Sequence, residues 1–300
     1  MPCKVCASHH LEPAPLPEEV VANFRLDWCR DCGFVSLVGA PPSLHGRSDD
    51  AAGNPRSPTR RLLSRIRYLG LHRWLERLTL GHNTGRRILD AGAGLGDLSL
   101  DLGRRGWDVW ACDAAEDAAR ACGPLLGERF VAAPFEEADL PDASFDVVML
   151  NFSLEHMEEP RCVAQKISGL LRPGGVVAIR VPNIDAALSG RRGAAFQLQL
   201  PHHRSFYGPK SLRRLLEDAG LRILEITTPL TLLEGVSTAC DLAPALDPDR
   251  WIHRPAAPLN LLRGATLAAL ATVALPGAWS RCRDGEGVIL YAGARKMVER

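Results

Sequence analysis

The sequence lacks two features that would point to particular partners or to secretion: a strong net charge and an apolar N-terminal run. Its 36 basic and 35 acidic residues leave a formal charge of +1, so no global field attracts nucleic acid or an anionic membrane, and such partners would need a local patch. Residues 1–10 include no apolar run of the signal-peptide kind. We therefore expect a cytoplasmic protein whose cysteines are thiols or metal ligands.

Length and composition are those of an ordinary globular protein. Of the 300 residues, 46% are hydrophobic and 24% are charged, which makes a folded chain the default expectation. The length fits one α/β domain with a small appendage, and such a domain can bury a large core.

Four of the nine cysteines form two C-x-x-C pairs near the N-terminus. Cys3 and Cys6 are separated by twenty-two residues from Cys29 and Cys32, close to the spacing of four-cysteine zinc sites. Residues 1–40 are too short to fold on hydrophobic burial alone, so a metal would supply much of their stability. We predict a structural Zn²⁺ with these four ligands, because a redox pair would not need a second copy.

A linker is predicted over residues 41–58, where proline, glycine and serine leave little to bury. Apolar residues then recur at helical spacing, at Leu63, Ile66, Trp74 and Leu78. Six arginines crowd the same segment, which predicts a basic amphipathic helix. Its basic face could contact an acidic acceptor, RNA or a membrane, but a solvated face on a helix packed against the main domain is the favoured interpretation.

A strand, a glycine-rich loop and a helix follow. The apolar segment 87–90 runs into a loop that contains Gly92, Gly94 and Gly96, and apolar helical spacing resumes after it. Glycines let a backbone approach a ligand closely, and a helix N-terminus presents free N–H groups. Asp113 ends the next strand, where an acidic side chain can accept hydrogen bonds from ribose hydroxyls. Together these features predict a nucleoside-containing cofactor.

The loop departs from the dinucleotide fingerprint G-x-G-x-x-G. Asp90-Ala-Gly-Ala-Gly-Leu-Gly resembles the D-x-G-x-G-x-G of class I S-adenosylmethionine-dependent methyltransferases. Segment 145–151 resembles the fourth strand of that family, and residues 154–160 resemble the LEH-x-x-x-P that follows it. Residues 171–175, Leu-Arg-Pro-Gly-Gly, resemble the turn into strand five, and residues 203–212 resemble the H-x-x-F-x-x-P-x-x-L of its small-molecule and lipid-type members.

The resemblance implies an α/β, Rossmann-like, doubly wound sheet of seven strands behind a zinc-ribbon-like module. It covers residues 86–228 well and 286–296 weakly. We expect the methyltransferase domain over residues 59–300, with a helical insert at about 229–285.

The resemblance also assigns the cofactor residues. The methionine end of S-adenosylmethionine is expected at Asp90, Gly92, Gly94 and Gly96, and its ribose at Asp113. Phe135 and Glu136 are predicted to contact adenine, because adenine needs an aromatic face and an acceptor for its amino group. Asn151, at the end of the fourth strand, is expected to contact the cofactor as well.

Two histidines are candidates for a catalytic base. Methyl transfer mainly requires positioning, but a hydroxyl or activated-carbon acceptor would benefit from a base. His156 follows the fourth strand, on the edge where such sheets bind ligands, and His203 lies in the later family motif. Histidine titrates near neutral pH, although a structural role is the favoured interpretation of each residue.

The acceptor leaves three hypotheses open. The favoured one is a small-molecule, sugar or lipid-linked acceptor; the others are RNA, gripped by the zinc module and the basic helix, or no reaction at all in a scaffold protein. The near-zero charge and the absence of an Asn-Pro-Pro-Tyr-like sequence at residues 151–154 disfavour RNA. Segment Gly264–Trp279 is too short for the roughly 20 residues of a membrane span, and is expected to be a buried helix of the acceptor cavity or a peripheral membrane contact.

Overall fold

The computed structural model describes residues 1–17, 21, 24–39, 58–80, 85–191, 198–200, 202–243 and 258–298. Residues 41–57 of the expected linker lie outside the described residues. The chain divides into two compact units. Unit 1 comprises Met1–Ala40, Val181–Arg214 and Ile226–Tyr291, and unit 2 comprises Pro41–Arg180, Leu215–Glu225 and Ala292–Arg300.

Eleven strands occur among the described residues. In chain order they are β1 Leu11–Pro13, β2 Arg25–Cys29, β3 Val35–Val38, β4 Arg87–Ala91, β5 Asp108–Cys112, β6 Phe130–Val131, β7 Phe145–Asn151, β8 Leu171–Pro182, β9 Ser205–Phe206, β10 Leu221–Thr227 and β11 Ile289–Lys296.

The described residues also form nine α-helices. They are α1 Pro58–Thr79, α2 Asp97–Arg104, α3 Glu116–Leu126, α4 Pro160–Leu170, α5 Ile184–Leu188, α6 Pro209–Asp218, α7 Leu232–Leu242, α8 Pro258–Val273 and α9 Leu275–Arg283. Short 3₁₀ turns cover Gly127–Arg129 and Leu154–His156.

Seven strands form one mixed sheet in the order β10-β11-β8-β7-β4-β5-β6. Strand β4 pairs in parallel with β5 on one side and with β7 on the other. The first six residues of β7 are all buried, as expected of a central strand with both faces covered. The chain moves outward from β4 first through β5 and β6 and then through β7 and β8, so the sheet is doubly wound and the predicted fold class is confirmed.

The reversal of strand order at β4 locates the expected ligand crevice. In open parallel sheets, ligands bind outside the carboxyl ends of the strands at such a switch point. Here the strands concerned are β4, β5 and β7, and the glycine loop follows β4 directly.

A second, smaller sheet lies within unit 1. Strands β1, β2, β3 and β9 are hydrogen-bonded in that order, and β3 pairs antiparallel with β9. The first three of these strands come from the N-terminal forty residues, whereas β9 immediately follows Arg204. The cysteine-containing segment therefore shares a sheet with a distant part of the chain.

Helix α1 packs on the large sheet within unit 2. Trp74 and Leu78 are buried, and both the Trp74 indole and the Arg77 guanidinium donate hydrogen bonds to Glu225. Arg295 donates a 2.8 Å bond to the Leu78 carbonyl. These contacts agree with the favoured interpretation of a packed helix, although the side chains of its first ten residues lie outside the described part.

The insert corrects one expectation. A single buried helix over Gly264–Trp279 is wrong, because α8 ends at Val273 and α9 begins at Leu275. Pro276 explains the break, since it has no N–H to continue the ladder of α8. One side of α8 packs on α7, but the Val273 and Trp279 side chains are 76% and 54% exposed. No helix in the described part of the chain is long and apolar enough to cross a membrane.

The packing of α1 gives a stability prediction. A Cβ added at Gly293 of β11 would lie 2.5 Å from Leu78 Cδ2, whereas one added at Gly103 of α2 meets nothing within 4 Å. We expect Gly293→Ala to lower the free energy of unfolding by about 1–3 kcal/mol through overpacking. Gly103→Ala, the control, should be neutral or raise it by about 0.5–1 kcal/mol. Urea unfolding measures both.

A double-mutant cycle makes the cause specific. Combining Gly293→Ala with Leu78→Ala should cost less than the sum of the two single changes, because the clashing methyl groups are gone. Strict additivity would contradict the contact between α1 and β11.

Candidate active site

The end of strand β4 carries a buried carboxyl group. Asp90 is 1% exposed, and the Ser99 hydroxyl of α2 donates a 2.6 Å hydrogen bond to its Oδ2. Burial raises the pKa of Asp90 to about 6; the bond from Ser99 opposes this rise, and the negative charge of Asp113 adds to it. Asp90 thus ties the strand before the glycine loop to the helix after it.

The glycine loop adopts left-handed backbone angles. Its φ values are +80° at Gly92, +52° at Gly94 and +78° at Gly96. A Cβ added at Gly92 would lie 2.5 Å from Ser153 Cβ, so that position is closed by β7 and its loop. A Cβ at Gly94 would meet nothing within 4 Å, so the middle of the loop presents bare backbone to open space. A ligand could therefore approach the backbone at Gly94.

The Asp113 carboxylate holds this loop from the neighbouring strand. Its Oδ2 accepts a 2.8 Å bond from the Gly94 N–H, and its Oδ1 accepts a 2.8 Å bond from the Ala115 N–H. The Cys112 carbonyl accepts further bonds from the Gly92 and Ala93 N–H groups. A carboxylate offers about four lone-pair sites, so Asp113 keeps capacity for two more donors such as ribose hydroxyls.

Phe135 and Glu136 lie between β6 and β7. The Phe135 side chain is 3% exposed, and the Lys166 ammonium lies 5.3 Å from its ring centre. Lys166 also donates a 3.1 Å bond to the Glu136 carbonyl, and the Glu136 carboxylate accepts a 3.4 Å bond from the Glu158 N–H. The two residues are thus fixed by α4 and by the turn that precedes it.

Asn151 is held by an arginine that sequence reasoning did not single out. The Arg180 guanidinium of β8 is 5% exposed and donates a 2.8 Å bond to Asn151 Oδ1. It also lies 5.0 Å from the Phe152 ring centre, and the Phe152 N–H donates to the Arg180 carbonyl. A cationic side chain therefore sits at the carboxyl ends of β7 and β8, inside unit 2.

The turn after β7 contains a buried acid beside His156. Glu155 is 1% exposed, and neither of its carboxyl oxygens has a hydrogen-bond partner among the residues that the structure describes. Burial raises the pKa of Glu155 to about 8, so the group is mostly protonated at neutral pH. His156 is half-buried, and its backbone N–H donates a hydrogen bond to the Ser153 carbonyl.

His203 belongs to unit 1. It is 4% exposed, and its ring centre lies 6.3 Å from that of Phe206 in β9. Its backbone N–H donates to the Gln199 carbonyl. The residue thus occupies a packed position two residues before β9 of the smaller sheet.

Two residues that shape the loop could not be recognised from the sequence. Ser153 donates a 2.6 Å hydrogen bond to the Ala91 carbonyl and closes one side of Gly92. Cys122 of α3 lies against Gly96, where an added Cβ would come within 2.5 Å of its sulfur. A single serine or cysteine carries no spacing signal, because these contacts arise only from strand pairing and helix packing.

The four N-terminal cysteines converge in unit 1. Their sulfur atoms all lie within 4.8 Å of one another, and two pairs, Cys3 with Cys32 and Cys6 with Cys29, are 3.6 Å apart. These distances exceed the roughly 2.05 Å of a disulfide. They match the edge of about 3.8 Å in a tetrahedron with metal–sulfur bonds of about 2.3 Å. The donor set and geometry therefore fit a zinc ion.

Comparison with known proteins identifies the family. A protein family described as a methyltransferase domain matches residues 62–226, more than half of the chain. The chain is 31% identical over 175 residues to a ubiquinone biosynthesis O-methyltransferase of Cupriavidus pinatubonensis (strain JMP 134 / LMG 1197), which covers 53% of this chain and 70% of the relative. It is 32% identical over 182 residues to the protein of the same name from Bordetella avium (strain 197N), with 55% and 75% covered.

Solved structures share the fold at low sequence identity. A geranyl diphosphate methyltransferase in complex with GPP and sinefungin has a TM-score of 0.51 at 15% identity, covering 84% of this chain and 88% of that one. The [4+2]-cyclase SpnF has a TM-score of 0.50 at 20% identity, with 87% and 88% covered. The family match, the relatives and the seven-stranded sheet agree: the chain belongs to the class I S-adenosylmethionine-dependent methyltransferases and is an enzyme of their small-molecule type.

Proposed function

We propose that this chain transfers the methyl group of S-adenosylmethionine to a hydroxyl oxygen of a small molecule. The observation that carries the proposal is its likeness to O-methyltransferases of ubiquinone biosynthesis over 70% of a relative's length. The cofactor supplies a methyl group activated by a positively charged sulfonium. The protein's own task is to hold the two reactants in line and to exclude water.

The cofactor-binding residues of the proposal all lie in unit 2. The bare backbone at Gly94 and the spare acceptor capacity of Asp113 support contact with the methionine end and the ribose, respectively. Gly92 and Gly96 keep the loop in the shape that this contact requires, and Asp90 secures its start. Phe135, Glu136 and Asn151 complete the proposed set, with adenine assigned to the first two.

The acceptor hydroxyl must lose its proton during transfer, and His156 and His203 are the proposed bases. His156 is supported by its place after β7, at the carboxyl edge of the large sheet, and by its partial exposure. His203 is supported by its packed position, which would restrict the orientation of its ring. An imidazole accepts a proton only in its neutral form, so activity should depend on pH.

The cofactor assignment predicts the behaviour of Asp113 variants. Asp113→Ala removes the acceptor for Gly94 N–H and for the ribose, and we expect its affinity for S-adenosylmethionine to fall at least tenfold in calorimetric titration. Asp113→Asn keeps one carbonyl acceptor and should fall between Ala and wild type. None of the three proteins, wild type or either variant, should bind NAD. An unchanged affinity in a folded Asp113→Ala protein would reject the assignment.

The hydroxyl assignment predicts the product. With ¹³C-methyl-labelled S-adenosylmethionine and a panel of a catechol, a prenylated phenol and a sugar nucleotide, we expect S-adenosylhomocysteine and a methyl carbon bonded to oxygen by NMR. Product methylated only on nitrogen or carbon would exclude the proposal.

The base assignment is tested on the same reaction. The turnover number should rise with pH as an imidazole loses its proton, and His156→Asn or His203→Gln should lower it about 10²–10⁴-fold if that residue is the base. The rise with pH should vanish only in the variant that lacks the base. A pH-independent rate in wild type would leave both histidines with structural roles.

We also propose that Cys3, Cys6, Cys29 and Cys32 bind one structural Zn²⁺. The convergence of four sulfur atoms at tetrahedral spacing supports it, as does the small size of the segment that they join. Four thiolates complete the coordination of zinc, so no position remains for catalysis.

The zinc proposal predicts one metal ion per chain by elemental analysis. Cys29→Ser should lose the metal and lower the melting temperature, because metal binding contributes to folding in so short a segment. Cys162→Ser is the matched control, since Cys162 is exposed and lies outside the cluster. Metal-free wild type with an unchanged melting temperature would contradict the proposal.

A further inference from the structure

The cysteine module continues directly into the strand that pairs with the His203 segment. After Cys32, Gly33 and Phe34 lead into β3. The second C-x-x-C pair, Cys29–Cys32, which we call the second knuckle, forms backbone hydrogen bonds with both of these residues. The Gly33 N–H donates a 2.8 Å bond to the Cys29 carbonyl, and the Cys29 N–H donates a 2.8 Å bond to the Phe34 carbonyl. The knuckle that carries two of the ligands therefore fixes the backbone position of Phe34.

Strand β3 in turn supports β9. Val35 pairs with Phe206 and Ser36 with Ser205, and the Leu37 N–H donates a 3.0 Å bond to the Arg204 carbonyl. A two-residue strand has no stability of its own, so its position depends on the strand beside it. Since His203 comes immediately before this ladder, the backbone of β3 limits where His203 can lie.

A side-chain contact reinforces the backbone ladder. Phe34 and Tyr207 are 1% and 0% exposed, and their ring centres lie 5.3 Å apart. The Tyr207 carbonyl accepts a 3.0 Å bond from the Ile184 N–H, and Asn183 bonds to Val288 and Gly287. Phe34 thus joins the second knuckle to the buried centre of unit 1. It does so through Tyr207, which lies on the same segment as His203.

We infer that metal bound by the four cysteines positions His203 through Phe34 and strand β3, so that the N-terminal module is a remote part of the catalytic apparatus. The inference rests on the proposed zinc site and on the proposed role of His203. Phe34 is a positioning residue: it contacts Tyr207 and the β3–β9 ladder. Metal occupancy then affects the position of His203 within unit 1, whereas the proposed cofactor residues of unit 2 do not depend on it.

The test compares metal-loaded and chelated full-length protein by amide hydrogen exchange. We expect chelation to speed exchange at Leu37 and Phe206 at least tenfold, while the loop at residues 90–96 is unchanged and the affinity for S-adenosylmethionine stays within twofold. Added Zn²⁺ should restore the slow exchange.

Variants separate positioning from general loosening of the module. Phe34→Ala should retain one zinc per chain and still speed exchange at Phe206 at least tenfold. Leu26→Ala is the control, because Leu26 is also buried but lies on β2, which does not pair with β9; since Leu26 pairs with Leu37, this control is read at Phe206 and His203 only. The imidazole NMR signals of His203, assigned with His203→Gln, should shift in Phe34→Ala and in chelated protein but not in Leu26→Ala.

The outcomes distinguish the inference from the proposals beneath it. Purified protein that binds no metal overturns the zinc proposal and this inference together. Metal-loaded protein whose Phe206 exchange and His203 signals ignore both chelation and Phe34→Ala overturns the inference alone. Equal loosening of residues 90–96, with loss of cofactor affinity on chelation, would show general unfolding and also overturn it.

Discussion

The shape of the glycine loop after β4 depends on the hydrogen bonds that its backbone N–H groups donate to the end of β5. The Cys112 carbonyl accepts hydrogen bonds from the Gly92 and Ala93 N–H groups, and the Asp113 carboxylate accepts one from the Gly94 N–H. Parallel pairing of β4 with β5 brings these groups to the same edge of the sheet. These bonds shape the loop without a ligand, so a ligand that binds there would not have to order it. Gly94 alone keeps an open side, and it is the glycine whose N–H Asp113 holds.

The features that the sequence predicted well are local. A strand at 145–151 was expected from the resemblance to the family's fourth strand, and the structure gives β7 the same bounds. The glycine loop and Asp113 were also recognisable, since their spacing is fixed within one strand–helix–strand unit. Residues 171–175 were expected to form the turn into the fifth strand, but they belong to β8, because its pairing with β7 already begins at Leu171 and continues through an irregular register.

The features that were missed depend on contacts between segments far apart in the chain. Ser153 reaches Ala91 only because β4 and β7 are neighbours, and Arg180 reaches Asn151 only because β7 and β8 are. The pairing of β3 with β9 has no sequence signal, because a two-residue strand is too short to show alternation. The exposure of Val273 and Trp279 in the insert was missed for another reason. Apolar composition alone does not show which side of a helix is covered.

The proposed metal site and the proposed cofactor site lie in different units of this chain. The cysteine cluster and His203 lie in unit 1, and Asp90, the glycine loop and Asp113 lie in unit 2. A metal held by four thiolates has no open position, so the proposed zinc cannot bind an acceptor or activate water. Its influence on the reaction can therefore pass only through the protein, and the structure offers one short route within unit 1, from the second knuckle through Phe34 and β3 to β9. Under the proposals made above, a structural metal takes part in catalysis because it fixes the backbone beside the proposed base.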